Sequence, residues 1–388
     1  MNICVTAPWY PVGDETKYVF VEQLVKAFVR LGHKCIVVVP YNTYFDKKRH
    51  FPPEYEEKNV DQINKIVIYR PRYWNRNIPV VPISSAYYMA SRAFEKVIIS
   101  NDFSFDCIYC HFFIPATIAW PYAHKHNVPL LVATGESSIP QKLQKSCFSF
   151  TWKKFRKDTC GVVCVSTKNL DECIGLKYAD KSKCGVFPNA IDNSRFKKLD
   201  KEKCRKQLGI PDNKFVVAFV GWFSERKGAS RVAEAIDKLN DDSIGVLFIG
   251  QKQKDYDVEP LCKNIIFKGA VPHNDVPIYL NAADIFVLPT LKEGCCNSII
   301  EALACGMPVI SSDLPFNYDV LNENNSLLVD PNNVDAIREA ICKLKSDDDL
   351  RNKLSLNALF SAGKLTLNVR ASSIVQFIES KIRENNEI

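Results

Sequence analysis

IFVLPTLKEGCCNSIIEALACGMPVI, residues 285–310, decides how the chain is read. Its first run is short, apolar and continuous rather than alternating, as in a strand buried on both faces of a parallel sheet. The run ends at Thr290, and a loop with Glu293 and Gly294 follows. A helix is expected from near Asn297, with Asn297 or Ser298 as its N-cap. Gly306 ends that helix and Pro308 opens the next strand. The backbone amides of Gly294, Cys295, Cys296, Asn297 and Ser298 would then converge at a helix N-terminus, where the dipole favours an anion. Gly294 lets the backbone approach closely. Glu301, one turn into the helix, is placed for paired hydroxyls such as those of ribose. Glu293, ahead of the helix, would meet a different part of the same ligand. The spacing suits one extended ligand with a sugar at one end and a ribose at the other. Taken alone, the stretch equally reads as an ordinary strand–loop–helix with a solvated Glu293 and a capping Asn. Cys295, Cys296 and Cys305 do not read as metal ligands, because adjacent cysteines cannot easily chelate one ion and no histidine lies nearby.

The same pattern recurs outward from this unit. Apolar, β-branched runs at 215–220, 245–249, 265–267, 285–288, 308–311 and 327–329 form one βα series. Another occupies 3–7, 35–39, 66–69, 107–110, 130–133, 162–166 and 185–187. Amphipathic segments such as 21–31 lie between the runs, the latter closed by Gly32. Two series of similar size predict an α/β chain of two doubly wound Rossmann-like domains, with a boundary near residues 190–202. The assigned spans are 1–192, 193–367 and a closing helix over 368–388 that packs back on the first domain. Ligands in such sheets sit at the carboxyl ends of strands, so two facing domains would form a cleft lined by post-strand residues.

At 388 residues, one ordinary core is too small for the chain. Its 46% hydrophobic and 24% charged content is that of a soluble globular protein. No run is long and apolar enough to predict a transmembrane helix. MNICVTAPWY lacks a basic n-region and a cleavage site and reads as the first strand. Many of the 15 cysteines sit inside strand-like runs, where they act as small hydrophobes in a reducing compartment. The net charge of +7 is uneven: 25 of 51 basic but only 17 of 44 acidic residues fall at or before residue 192. The first half therefore suits an acidic partner, such as a phospholipid headgroup or a pyrophosphate-linked acceptor. No nucleic-acid motif accompanies that charge.

A second site candidate is VGWFSERKGASRVAEAI, residues 220–236. A strand ends at Gly221 and a helix starts after Gly228, with Arg226 and Lys227 just before it. Two cations beside a helix N-terminus make a pyrophosphate clamp, or else a solvated basic loop. The glycine spacing rules out a P-loop. The first strand is likewise followed by APWYPVGDE, which lacks the GxGxxG turn of a dinucleotide dehydrogenase.

Together these motifs resemble the retaining family 4 glycosyltransferases of GT-B architecture. Glu293 to Val309 resembles that family's E-x7-E signature and its EG…N…EA-x-A-x-G-x-P-V setting. Gly221 to Gly228 resembles its G-R-x-x-x-x-K-G loop, with Trp222 in place of the first arginine and Arg226 available to supply that charge. Residues 187–192 and 327–331 resemble its P-N-G-V-D hinge and its late strand and turn. The likeness covers nearly the whole chain and is densest over 185–340. It implies a metal-independent enzyme that moves a sugar from a nucleotide-sugar donor to a glycan or lipid-linked acceptor, with retention and by same-face attack, and needs no cofactor. The setting it implies is surface polysaccharide or lipid-linked oligosaccharide assembly. Glu301 would hold the ribose, Glu293 the transferred sugar, and Arg226 and Lys227 the leaving pyrophosphate. Gly221, Trp222 and the amides of 294–298 would complete the donor site.

In the first domain, His111 follows a strand and resembles the family's D-x-x-x-x-H histidine beside the donor sugar. Gly13, Asp14 and Glu15, after the first strand, are acceptor-side candidates, as is Glu136 where many members carry a His-Gly pair. FSFTWKKFRKD, 148–158, interleaves aromatic with basic residues. It reads either as a helix lying on an anionic membrane surface or as a packed helix with a basic outer face. The expected location is cytoplasmic, peripheral on the inner face of the membrane. A nucleotide-sugar epimerase of the same architecture and a non-catalytic sugar-nucleotide-binding relative are the competing readings.

Overall fold

A computed structural model describes residues 1–13, 15, 17–45, 51–76, 85–136, 139, 149–252 and 259–387. The chain divides into two compact units, Met1–Phe187 with Leu367–Ile388, and Pro188–Thr366.

The first unit begins with β1 (Asn2–Thr6), α1 (Val19–Arg30), β2 (Lys34–Val38), β3 (Tyr41–Asn42), β4 (Tyr55–Asn59), β5 (Lys65–Tyr69), β6 (Arg72–Tyr73) and α2 (Ser85–Ser100). It continues with β7 (Cys107–His111), α3 (Phe113–His126), β8 (Leu130–Thr134), α4 (Ser149–Asp158), β9 (Thr159–Cys164), α5 (Thr167–Gly175) and β10 (Cys184–Val186). Its main sheet runs β10-β9-β8-β7-β1-β2-β5-β4. All neighbours are parallel except β4, which pairs antiparallel with β5. The expected runs all form strands, and the central ones are buried on both faces; Ile3, Cys4 and Val5, for example, have no exposure, while β10 and, in the second unit, the corresponding edge runs 265–267 and 327–329 are only partly buried. The two-residue strands β3 and β6, which pair with each other, escaped the pattern, and in the main sheet β4 is the strand it missed. YEEKN is charged because it lies at the sheet edge with alternating exposed residues, where charge discourages pairing with another chain.

The second unit contains α6 (Lys201–Leu208), β11 (Phe215–Val220), α7 (Ala229–Leu239), β12 (Ile244–Ile249), β13 (Ile265–Gly269), α8 (Val276–Ala282) and β14 (Ile285–Leu288). Then come α9 (Asn297–Ala304), β15 (Val309–Ser312), β16 (Ser326–Val329), α10 (Val334–Ser346) and α11 (Asp348–Gly363). Its sheet is wholly parallel in the order β13-β12-β11-β14-β15-β16. Strand order therefore reverses between β11 and β14, the switch point where doubly wound sheets bind ligands. In the first unit the equivalent reversal lies between β1 and β7.

The closing helix, α12 (Leu367–Asn386), belongs to the first unit. Ala371, Ile374, Val375 and Ile378 join the core formed by β1, β2 and α1. Burial of each isoleucine contributes about 1.5–3 kcal/mol. Glycines make room for this helix: a Cβ on Gly161 would sit 3.1 Å from the Phe377 ring, and one on Gly185 3.2 Å from it.

Gly228, ahead of α7, has φ +81, and an added Cβ would lie 2.7 Å from the Pro289 carbonyl oxygen. Backbone from the β14 loop thus abuts the turn directly. Gly228→Ala is expected to cost about 1–3 kcal/mol in urea unfolding. An unchanged midpoint would show that the turn accepts a side chain.

Candidate functional site

In the second unit, the loops after β11 and β14 meet at the switch point. Lys227, only 8% exposed, places its ammonium 2.8 Å from Glu293 Oε1. Arg226 pairs with the same oxygen, and Thr290 Oγ1 donates to it at 3.0 Å. Arg226 also donates to the Lys292 carbonyl at 2.7 Å, while its own carbonyl accepts from Leu291 N at 2.8 Å. Backbone and side-chain bonds together lace the two loops. Lys227 Nζ further reaches Cys296 Sγ at 3.4 Å. Burial by itself would lower the Lys227 pKa, but Cys296 and Glu293 outweigh it and leave the ammonium raised. The lysine is therefore a fixed positive charge at the mouth of α9.

α9 starts where expected, but its N-cap differs. The cap is Cys296, with no side-chain capping bond, not Asn297 or Ser298. Asn297 is drawn elsewhere: its Oδ1 accepts from Asn189 Nδ2 at 2.9 Å, and the same amide donates to the Cys295 carbonyl at 3.0 Å. Ser298 Oγ lies 3.3 Å from Cys296 Sγ. No side chain therefore caps the helix from position 296. Gly294 sits in the intervening loop, and Gly221 N donates to Ile249 O at 2.9 Å, joining the ends of β11 and β12. Trp222 is 45% exposed, so the residue standing at the expected arginine offers an aromatic face instead of a charge.

Glu301 has a partner that sequence reasoning missed. His273 Nε2 lies 3.0 Å from Glu301 Oε1, and Arg195 approaches His273 Nδ1 at 3.0 Å. A guanidinium has only donors, so Nδ1 must accept and Nε2–H must donate to Glu301. The ring also packs on Phe196, with centroids 5.2 Å apart. These residues are 28 and 78 positions apart along the chain, and no local pattern links them.

In the first unit, His111 ends β7 at the β1–β7 switch point. It is 4% exposed, and its Nε2, Tyr109 Oη and Thr6 Oγ1 are buried without hydrogen-bond partners among the described residues. Buried polar atoms normally have partners, so this trio marks a place for a ligand or water. Phe112 follows with φ 75 and ψ 159, a backbone region costly for any residue with a side chain. Burial pushes the His111 pKa down to about 3, with Arg370 of α12 adding to the effect. The imidazole is neutral and can accept or donate a hydrogen bond, but it does not supply a cation at neutral pH.

The β1–α1 loop is pinned from below by Arg70, another residue the patterns missed. Its guanidinium is buried, pairs with Glu56 at 2.8 Å and donates to the Tyr10 and Pro11 carbonyls at 3.3 and 3.1 Å. Glu15 is turned into its own loop, accepting from Trp9 Nε1 at 2.8 Å and Val12 N at 3.1 Å. Gly13 has φ 55, and its carbonyl accepts from Lys58 at 3.3 Å. Asp14 lies outside the described residues. Glu136 accepts from Thr134 Oγ1 at 2.6 Å and from Gly135 N at 3.1 Å. Burial raises its pKa despite those bonds.

Of the aromatic–basic stretch 148–158, Ser149–Asp158 is a packed helix. Trp152 and Phe155 of α4 point inward, the former 4.7 Å from the Tyr178 ring. Lys153 and Lys157 remain outside, and Phe148 lies outside the described residues. The exposed aromatic stripe needed for a membrane-surface helix is therefore missing at Trp152 and Phe155. Among the described residues no helix is long and apolar enough to cross a membrane.

The low pKa of His111 has a consequence for stability. Between pH 6.5 and about 3 the unfolded chain takes up a proton that folded His111 does not. Its contribution is intact above pH 6.5 and is lost as pH falls, with a slope of up to about 1.4 kcal/mol per pH unit. His111→Gln is expected to flatten the pH dependence of unfolding free energy between pH 6.5 and 5. Equal slopes in both proteins would mean that His111 protonates within the fold.

Comparison with known proteins gives the family and the fold class. Residues 200–359 match the family described as glycosyl transferases group 1, and residues 19–195 match glycosyltransferase family 4. A Bacillus subtilis protein assigned to teichuronic acid biosynthesis as the glycosyltransferase TuaC is 30% identical, over 89% of this chain and 91% of its own. An Escherichia coli UDP-Gal:α-D-GlcNAc-diphosphoundecaprenol α-1,3-galactosyltransferase is 27% identical, over 65% of this chain and 69% of its own. The solved structure of Anabaena Alr3699/HepE in complex with UDP superposes with a TM-score of 0.73 at 16% identity, covering 98% of this chain and all of that one. Two doubly wound units thus have the GT-B fold class, and the chain belongs to the family 4 glycosyltransferases, as an enzyme with a group 1 glycosyltransferase domain in its second half.

Proposed function

We propose that the enzyme transfers a sugar from a nucleotide diphosphate sugar to a hydroxyl of a glycan or lipid-linked acceptor, with retention of configuration and without a metal. The observation that carries this reading is the buried Lys227–Glu293 pair at the uncapped N-terminus of α9. It supplies a cation and a helix N-terminus on one side and a carboxylate on the other, the needs of a diphosphate and of a sugar hydroxyl. The HepE structure contains UDP, and the name of the E. coli relative specifies a UDP-sugar donor and a diphospho-undecaprenol acceptor. Both support a uridine donor, and the second supports a lipid-carried acceptor.

In this reading Glu301 receives the ribose hydroxyls, held in place by His273 and Arg195. Trp222 adds aromatic surface to the donor site. Glu293 takes a hydroxyl of the transferred sugar, and neutral His111 is the first unit's own hydrogen-bonding group for a sugar hydroxyl. Gly13, Glu15 and Glu136 shape the acceptor side. The C1–O bond to the diphosphate breaks while the acceptor oxygen bonds to C1 on the same face. The acceptor's proton passes to the departing phosphate oxygen. Lys227, Arg226 and the amides of 294–298 stabilise the charge that develops there. Preorganised charge of this kind commonly contributes more to rate than any other single effect. The relatives named as glycosyltransferases favour transfer over epimerisation or binding alone.

UDP-, GDP- and ADP-sugars screened by thermal unfolding, with and without EDTA, test the reading. A selective rise in melting temperature that survives EDTA is expected, with sugar transfer reduced about 100-fold or more in Lys227→Ala. No shift with any nucleotide sugar, or a shift abolished by EDTA, would overturn metal-free donor binding. His273→Phe keeps the ring packing against Phe196 and removes both hydrogen bonds. It should weaken UDP binding by about 1 kcal/mol with little change in kcat. Unaltered UDP affinity would show that Glu301 needs no support from His273.

A further inference from the structure

The first unit has a cavity of about 280 Å³ between α2, α3 and α4, away from the residues assigned above. Its apolar lining includes Tyr87, Tyr88, Trp120, Pro121, Trp152 and Phe155. Arg92, Glu95 and Lys125 are common to this cavity and to a more open groove of about 750 Å³ that also includes Arg72, Lys96 and Trp74. One space is thus aromatic and the other cationic, and they share a rim.

The charges in the groove do not cancel. Arg92 and Lys125 share one carboxylate, Glu95, at 3.3 and 2.9 Å. Arg72 pairs with Glu54 at 3.1 Å, and Lys96 adds a fourth cation. Four cations against two carboxylates leave a local excess of positive charge that suits a phosphate. Around them Trp74 and Tyr88 are each 62% exposed, and Ile99 is 57% exposed. Exposed aromatic and aliphatic side chains beside cations form the kind of surface that meets amphiphiles. A wholly apolar ligand would leave the cations unused, and a free sugar phosphate would leave the aromatic cavity unfilled.

We propose that this paired cavity and groove seats a single phosphorylated lipid, with its hydrocarbon chain among Trp120, Trp152 and Phe155 and its phosphate on Arg72, Arg92, Lys96 and Lys125. The proposal rests on the reading of a lipid-linked acceptor and supplies a place for the acceptor's carrier lipid. It follows the packed-helix alternative for 148–158 and not the membrane-surface one: Trp152 and Phe155 of α4 are buried wall residues.

Farnesyl phosphate titrated into the full chain is the test, read by tryptophan fluorescence because Trp120 and Trp152 line the cavity. Farnesol and inorganic phosphate serve as the single-feature probes. Saturable binding of farnesyl phosphate, tighter than either probe, is expected. Ser91→Phe, which fills the cavity from α2, should abolish it. The surface double variant Arg92→Glu with Lys96→Glu should weaken it about tenfold or more and leave farnesol binding unchanged. UDP-sugar thermal shifts on each variant confirm that the chain is folded. Absence of saturable binding, or equal affinity in both variants, would overturn the seat. Binding to phosphatidylglycerol vesicles that the double variant loses, without saturable farnesyl phosphate binding, would overturn it in favour of a bilayer-docking face. If sugar transfer to a soluble acceptor persists while farnesyl phosphate fails to bind, the seat falls and the glycosyltransferase reading stands. If lipid binding holds while no nucleotide sugar binds, the donor reading falls instead.

Discussion

A lysine ammonium buried at a sheet's switch point must keep a counter-charge, and in the second unit that requirement organises everything nearby. Lys227 is too enclosed to rely on water, so Glu293 has to come within 2.8 Å. Removing one partner of such a pair typically costs 3–5 kcal/mol. The constraint draws the loop after β14 onto the loop after β11, and Arg226 and Thr290 complete the join. Gly228 is the backbone counterpart, because only a residue without a Cβ lets the Pro289 carbonyl come so near. An anionic ligand arriving here would share the cations that Glu293 holds.

The two units use opposite electrostatics. The second holds fixed positive charge against helix amides. The first holds a neutral histidine, unsatisfied hydroxyls and a strained Phe112 at its own switch point. Such unsatisfied and strained groups are costly, and they persist only where the surrounding fold is strong enough to hold them. Here α12 contributes to that support, bringing a buried apolar face to the core and Arg370 to the neighbourhood of His111. The end of the chain thus acts on the environment of a residue more than 250 positions earlier.

Positioning in this protein runs through long-range polar bonds. Arg70 holds the β1–α1 loop by its carbonyls, and His273 hands the directionality of Arg195 on to Glu301. In the second case a guanidinium that can only donate fixes the imidazole tautomer, which in turn fixes where the carboxylate accepts. Asn189 works similarly, tying the residues that follow the first unit to the start of α9. Each bond is modest alone, but each removes a freedom that a ligand would otherwise have to restrict.

What the sequence determined by itself was the set of elements and the identity of the site loops. Short, continuous, β-branched runs read as strands of a parallel sheet, and glycine, cation and carboxylate spacing around β11 and β14 marked the two loops that the structure brings together. Edge strand β4 escaped because an exposed edge favours charge over the apolar run that betrays a central strand. Only the tertiary structure decided which partners those residues would take. The cap of α9 passed to Cys296 because Asn189 claimed Asn297, and Trp152 and Phe155 turned inward because Tyr178 and Trp120 offered apolar surface there. The support of Glu301 by His273 came from a loop on a different strand. Periodicity reports which face of an element is buried, a local property. The partner found on that face depends on chain closure over tens to hundreds of residues, and no local pattern encodes it.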